Sequence, residues 1–289
     1  MPPKSHPKYP VFVMCGSDPR RRRLLEVVDP EGKYKSKALL PFLGKRLIDW
    51  QIEELKDSPF VSGLYLIGLS EEDAAFDFPV HYVPADTISD FGSKLMHGLD
   101  YIESLGKNPE MIVISSCDTP GIRQKEIDAF FEKLMTCEGS EFILSLVTEE
   151  VVEAEFPKSG RVVAHFQDCD VLPGELFALT PRVIRTSQEI ISGLGSRRRQ
   201  VNRQVGNIQM GPILRFIAQK PGTWIMIIKY LLGIATLEDG EKALSAAFNI
   251  QTRGVIIPEA GFGMDMDLPE DYERLEEFVK RTKGVDNTH

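Results

Sequence analysis

Short unbroken apolar runs punctuate this chain, with amphipathic segments between them. Val11-Phe12-Val13-Met14 and Met111-Ile112-Val113-Ile114 show no polar alternation, which predicts strands buried on both faces. Leu64 to Gly68, Val80 to Val83 and Phe142 to Val147 read as further strands. Leu47, Ile48, Ile52 and Leu55 fall on one side of a 3.6-residue helix, as do Ile127, Phe130, Phe131 and Leu134 over 124–135. Strand, helix, strand at this spacing is a parallel crossover. The expected fold is therefore α/β, a mostly parallel central sheet with helices on both faces, whose ligands bind beyond the strand C-termini.

Past Glu149 the pattern shifts to short strands, Arg161-Val162-Val163 and Leu176 to Leu179, separated by Pro and Gly. Residues 181–248 read as largely helical, an extra helical region, and a last helix over 269–283 has Tyr272, Leu275, Phe278 and Val279 on its apolar face. Residues 211–233 are strongly apolar, yet Arg215, Lys220, Pro221 and Lys229 interrupt them, so no clean spanning helix is expected. They read as two helices around Pro221-Gly222, packed as core or over an acceptor site in preference to a membrane surface, where Trp224 and Lys229 would be the anchors.

Candidate chemistry gathers at strand ends. The first strand stops at Cys15-Gly16-Ser17-Asp18-Pro19-Arg20, a glycine turn whose N–H groups suit phosphate oxygens, or simply a turn. The four arginines from Arg20 to Arg23 suit a solvated patch, with Arg20 near enough to the loop to meet a triphosphate. Lys37 precedes the anchored helix and is expected to present its ammonium from an extended segment. The strand ending Ser115-Ser116-Cys117-Asp118 delivers one acid, and Asp265-Met266-Asp267 places two more before the last helix. Asp90 to Leu99 reads as a helix start with Ser93 as its cap and Leu95, Leu99 and Ile102 buried. His81 reads as a packed strand residue.

The ordered set of strand-CGSDPR, SKALLPFLGK, SSCDTP and MDMDLPEDYERLEEF resembles the MobA-like NTP transferases, nucleotidyltransferases of the sugar-nucleotide GT-A type fold, from about Val11 to Val279. That resemblance implies a single domain over 1–289, with a nucleotide-binding half at 11–148, an acceptor-binding half at 149–268 that includes a helical elaboration at about 182–250, and a C-terminal helix at 269–283. It further implies that Cys15, Gly16, Ser17, Asp18 and Arg20 form the nucleotide loop, that Lys37 holds the triphosphate, and that Gly92 and Ser93 line base and ribose. Asp118 and Asp267 would hold Mg²⁺ or Mn²⁺, with Asp265 in reserve. The implied reaction moves a nucleoside monophosphate from an NTP to a small acceptor, and the apolar helices together with the basic cluster Arg197-Arg198-Arg199 and Arg203 suit a phosphorylated or lipid-linked one. Cys15 in place of a family glycine, Pro19 in the loop and Leu268 in place of a threonine are departures. Two rivals stay open: a GT-A glycosyltransferase, since Asp265-Met266-Asp267 is a D-x-D, and a non-catalytic nucleotide-binding protein.

Composition narrows the classes. With 289 residues, 42% hydrophobic and 27% charged, the chain suits a soluble globular protein with a sizeable core. A net charge of −9 argues against nucleic acid as partner. Cys15, Cys117, Cys137 and Cys169 lie far apart without a C-x-x-C pair, which suggests neither zinc nor disulfides and fits a reducing cytoplasm. The first ten residues lack the apolar core of a signal peptide. Homo-oligomerisation is left open.

Overall fold

The computed structural model describes residues 6–16, 24–85, 90–186 and 223–285. Its main sheet is built on β1 (Tyr9–Met14), which pairs in parallel with β4 (Val61–Ile67) on one side and β6 (Ile112–Ser115) on the other. β5 (His81–Val83) extends the β4 edge in parallel. Beyond β6 lies β9 (Asp170–Leu179), antiparallel to both β6 and β7 (Phe142–Thr148), and β10 (Thr252–Ile256) closes that edge parallel to β7. The crossover expected between β6 and β7 is present, through α4 (Gln124–Leu134), but β9 is inserted between the two strands it joins.

Alternate residues of each strand enter opposite cores, the consequence of the two-residue side-chain period. Val11, Val13, Leu64, Leu66 and Val113 pack with α2 (Leu47–Lys56), α4 and α9 (Pro269–Lys283). Phe12, Tyr65, Ile67, Ile112 and Ile114 pack with α3 (Phe91–Ser104), α6 (Pro181–Thr186) and α8 (Leu237–Phe248). Helices therefore cover both faces, as the apolar runs require. On the second face Gly98 allows α3 to ride directly on β1: a Cβ there would lie 2.5 Å from the Phe12 ring.

Several expectations are corrected. Arg161-Val162-Val163 is not a strand among the described residues; the short strand is β8 (Ala164–His165), against β9. Asp90, not Ser93, caps α3: its carboxylate accepts from the Ser93 N–H (3.1 Å) and hydroxyl (2.7 Å), because a carboxylate can serve both donors at once. Lys37 starts a turn of 3-10 helix (Lys37–Leu39) instead of lying in an extended segment, since Ser36 caps that turn by accepting from Ala38 N–H. The apolar stretch after Pro221 folds as α7 (Trp224–Leu231) but is core on one face only: Met226 is buried, whereas Ile225, Ile228 and Leu231 are exposed. Ser17, Asp18, Arg20 and the 197–203 arginines lie outside the described residues. His81 is a packed strand residue, its ring stacked on Tyr65 at 4.6 Å.

Candidate active site

β1 and β6 run side by side and deliver Cys15-Gly16 and Cys117-Asp118 to the same end of the sheet. The lysine segment is fastened to this edge. The Ser36 hydroxyl lies 3.2 Å from the carbonyls of both Cys15 and Gly16, so the residue before Lys37 is tied to the β1 loop. Phe42, just beyond, meets Tyr272 of α9 edge to face at 5.2 Å.

The Asp118 turn is braced from α2. Gln51, fully buried, donates to the Ser115 hydroxyl at 2.5 Å and accepts from the Thr119 N–H at 3.3 Å. Ser116 and Thr119 join hydroxyls at 2.8 Å across the turn. A buried amide with both ends satisfied fixes a loop better than an apolar contact would, because any shift leaves a desolvated polar group unpaired. Asp271, in the first turn of α9, accepts from the N–H groups of Asp267 (3.1 Å) and Leu268 (2.9 Å). That leaves the Asp267 carboxylate for another partner.

The partner is Lys37. Its Nζ donates to Asp118 Oδ2 at 2.5 Å, to Asp267 Oδ1 at 2.6 Å and to the Met266 carbonyl at 3.0 Å. Burial by itself would lower the lysine's pKa, but the carboxylates of Asp118 and Asp267 outweigh it and hold the ammonium well above the ordinary lysine value. Lys37 is thus a fixed cation between an acid from the middle of the chain and one from near its end.

Two further residues belong here that the sequence reading did not assign to the site. Arg161 forms an ion pair with Asp265 and also donates to the Asp265 carbonyl. Glu175, on β9, is buried, and its carboxylate together with those of Asp118 and Asp265 places one oxygen from each within 4.8 Å of the others. Asp265 and Asp267 therefore both approach Asp118 but are matched to different cations. Lys94, in the first turn of α3, is buried with its ammonium where a side chain on Gly16 would stand. Gly92 and Ser93 belong to the same first turn.

Cys15 and Cys117 are neighbours at this edge, since the β1/β6 register pairs Val13 with Ser115 two residues earlier. Burial first, then the adjoining Cys117 thiol and the Asp118 charge, push the Cys15 thiol well above its usual range. Both cysteines are free thiols.

The model of the MobA-like NTP transferase domain matches residues 13–152, the span that contains the β1 loop, Lys37 and Asp118. No protein of curated function matches the sequence. Among solved structures, a hypothetical transferase from Thermus thermophilus is 19% identical, with a TM-score of 0.68 over 91% of this chain and 99% of its own. CMP:2-keto-3-deoxy-manno-octonic acid synthetase, complexed with CTP, is 10% identical, with a TM-score of 0.54 over 95% of this chain and 99% of its own. A nucleotidyl transferase from Methanothermobacter thermautotroptrophicus is 15% identical, with a TM-score of 0.53 over 95% and 99%. At these identities the likeness is one of fold, and it extends past residue 152 to nearly the whole chain.

Proposed function

We propose, from the premise that residues 13–152 match the MobA-like NTP transferase domain, that this protein is a nucleotidyltransferase, moving a nucleoside monophosphate from an NTP to a small acceptor with release of pyrophosphate. The observation that carries this reading is the meeting of Lys37, Asp118 and Asp267 at the end of the sheet where β1 and β6 stop. An acceptor oxygen attacks the α-phosphorus in line and pyrophosphate leaves. The protein's task is to align the two and to balance spreading negative charge.

Each residue has a part in that task. Lys37 holds the phosphates, joined by Arg20 and the loop from Cys15 through Gly16, Ser17 and Asp18. Gly92 and Ser93 line the nucleoside. The donor set suits a hard divalent ion, Mg²⁺ or Mn²⁺, because it is made of carboxylate oxygens alone: Asp118 with Asp265 and Glu175 on one side, and Asp267 on the other. Such an ion, when bound, neutralises phosphate charge. A phosphorylated acceptor, free or lipid-linked, suits the acceptor half, where Arg161 is the cation beside the acids. A glycosyltransferase is the weaker reading, since the family model that matches residues 13–152 is that of NTP transferases.

Ligand-induced shifts in melting temperature separate the two. A rise with an NTP and Mg²⁺, absent in Asp118→Ala, supports nucleotidyl transfer; a rise only with nucleotide-sugars would replace it with glycosyl transfer.

A further inference from the structure

Side chains alternate along a strand, so positions 12, 14 and 16 share one face of β1 and of the turn that follows it. Phe12 and Met14 pack in the core that α3 covers, and Gly16 brings no side chain to that side. α3 runs over this row in the reverse direction, with Gly98 against Phe12 and Lys94 against Gly16. Four residues cover about 6 Å on a helix and about 13 Å along a strand, so a long stem is needed to reach the turn. Lys94 supplies it, because helical side chains lean toward the helix N-terminus. A Cβ on Gly16 would run into the Lys94 Nζ, with the Cε at 3.6 Å and the Cδ at 3.9 Å. The lysine is 6% exposed.

Lys37 comes to the same turn from the other layer. Ala38 and Leu40, beside it, pack in the opposite core with Val11 and Val13, and Ser36 is fastened to the Cys15 and Gly16 carbonyls. The Cys15-Gly16 backbone therefore lies between two lysines, one from each face of the sheet. Their tasks differ. Lys37 already joins Asp118 to Asp267. Among the described residues the carboxylates of Asp118, Asp265, Asp267 and Glu175 gather here, against the cations of Lys37 and Arg161. A phosphate chain entering this acid-rich place adds more negative charge, and Lys94 holds a further cation over the turn where ligands of an open α/β sheet bind.

We propose that Lys94 contacts the phosphate chain of the bound nucleotide, as a second lysine set across the β1 turn from Lys37. An ammonium on a flexible stem serves as a compact point charge for phosphate oxygens. Gly16 is the residue that admits it, and Gly98 is the one that lets α3 sit low enough to deliver it. The proposal rests on the nucleotidyl-transfer reading for its ligand class, a polyphosphate, and gives Lys94 a part in binding that ligand, with no part in proton transfer.

Titration calorimetry of the full chain with inorganic tripolyphosphate, the four NTPs and the matching nucleosides, each with Mg²⁺, tests it. Lys94→Met is expected to weaken tripolyphosphate and the best-bound NTP by a similar factor, about 10- to 100-fold, the range of a charge-assisted hydrogen bond. Nucleoside binding should stay as in the parent. Gly16→Ala reads the same contact with the lysine retained, since its Cβ pushes a flexible tip aside and leaves the core side chains alone; tripolyphosphate binding should fall here too. This second variant decides the matter if Lys94→Met does not fold. Unchanged tripolyphosphate binding in either folded variant, an equal loss for nucleoside and NTP, or a parent that binds no polyphosphate would overturn the proposal. The expected pattern without pyrophosphate release from any NTP and acceptor would set aside nucleotidyl transfer and leave the Lys94 contact standing.

Discussion

The Met266 N–H donates to the Asp118 carbonyl at 2.9 Å. This backbone bond joins the end of the central strand to the segment before the last helix, and sets Asp265 and Asp267 on either side of Asp118 before any side chain is considered. Lys37 adds a third strand of control by donating to the carbonyl of the same Met266. The acids are therefore held by main chain, with cations fitted to them.

Replacing Lys37 by Met should reduce pyrophosphate release about 10²- to 10³-fold, the usual effect of removing one group that stabilises transition-state charge. The same variant leaves Asp118 and Asp267 without their shared ammonium. Lys37 keeps some exposure, so solvent screens part of that loss and the folded state should weaken by about 1–3 kcal/mol. Steady-state assay and denaturant unfolding read the two effects separately.

The pH dependence of that pairing has a definite sign. Because the Lys37 pKa is raised in the folded chain, its contribution is fully present below the unfolded-state value of about 10.4 and is lost as pH climbs through the folded-state value. The stability difference between the parent and Lys37→Met should thus be flat from about pH 6 to about pH 9 and shrink only above about pH 10.4. A difference that fades below pH 9 would mean that the two carboxylates do not hold the ammonium as described.

Arg161→Met should remove the cation from Asp265 while Asp118 and Glu175 stay close by. Breaking a pair this deeply buried costs about 3–5 kcal/mol. Mn²⁺ should then raise the melting temperature of the variant more than that of the parent, because the ion replaces the missing charge. Equal shifts in both proteins would remove Asp265 from the ion-binding set.

Arg161 and Glu175 also show where the sequence stops being readable. The strands β1, β4, β5, β6 and β7, the helix faces and the candidacy of Lys37, Asp118 and Asp267 follow from apolar period and from family motifs, whereas β8 and β10 do not. Arg161 sits in an irregular loop, so nothing local distinguishes it from any surface arginine. Glu175 had a signal: it is a lone acid in the otherwise apolar strand from Val171 to Leu179, and an acid there must have a partner or a ligand. The Cys15 and Cys117 neighbourhood needs the β1/β6 register, which depends on which strands pair. The two faces of α7 differ because Ala243 and Leu244 of α8 cover only one of them, a fact absent from its own sequence, which is apolar all round but for Lys229.

Gly261→Ala tests the frame that carries the closing acids. A Cβ at Gly261 would run into the Gly121 carbonyl, with the carbonyl carbon at 2.9 Å and the Phe278 ring at 3.2 Å. Main chain cannot step aside as a side-chain tip can, so a loss of about 1–3 kcal/mol is expected, read as a fall in melting temperature of several degrees. An unchanged melting temperature would mean that the turn from Ala260 to Gly263 is not packed against Gly121.

The central claim is tested most directly by pyrophosphate release. The parent protein and Asp118→Ala are assayed with ATP, CTP, GTP and UTP, each with Mg²⁺, against sugar phosphates, polyol phosphates and molybdopterin-type acceptors. The account predicts release that needs both an NTP and an acceptor, and that disappears in Asp118→Ala while its melting remains cooperative. Equal release from Asp118→Ala, or none from the folded parent with any pair while NTP still binds, would contradict it.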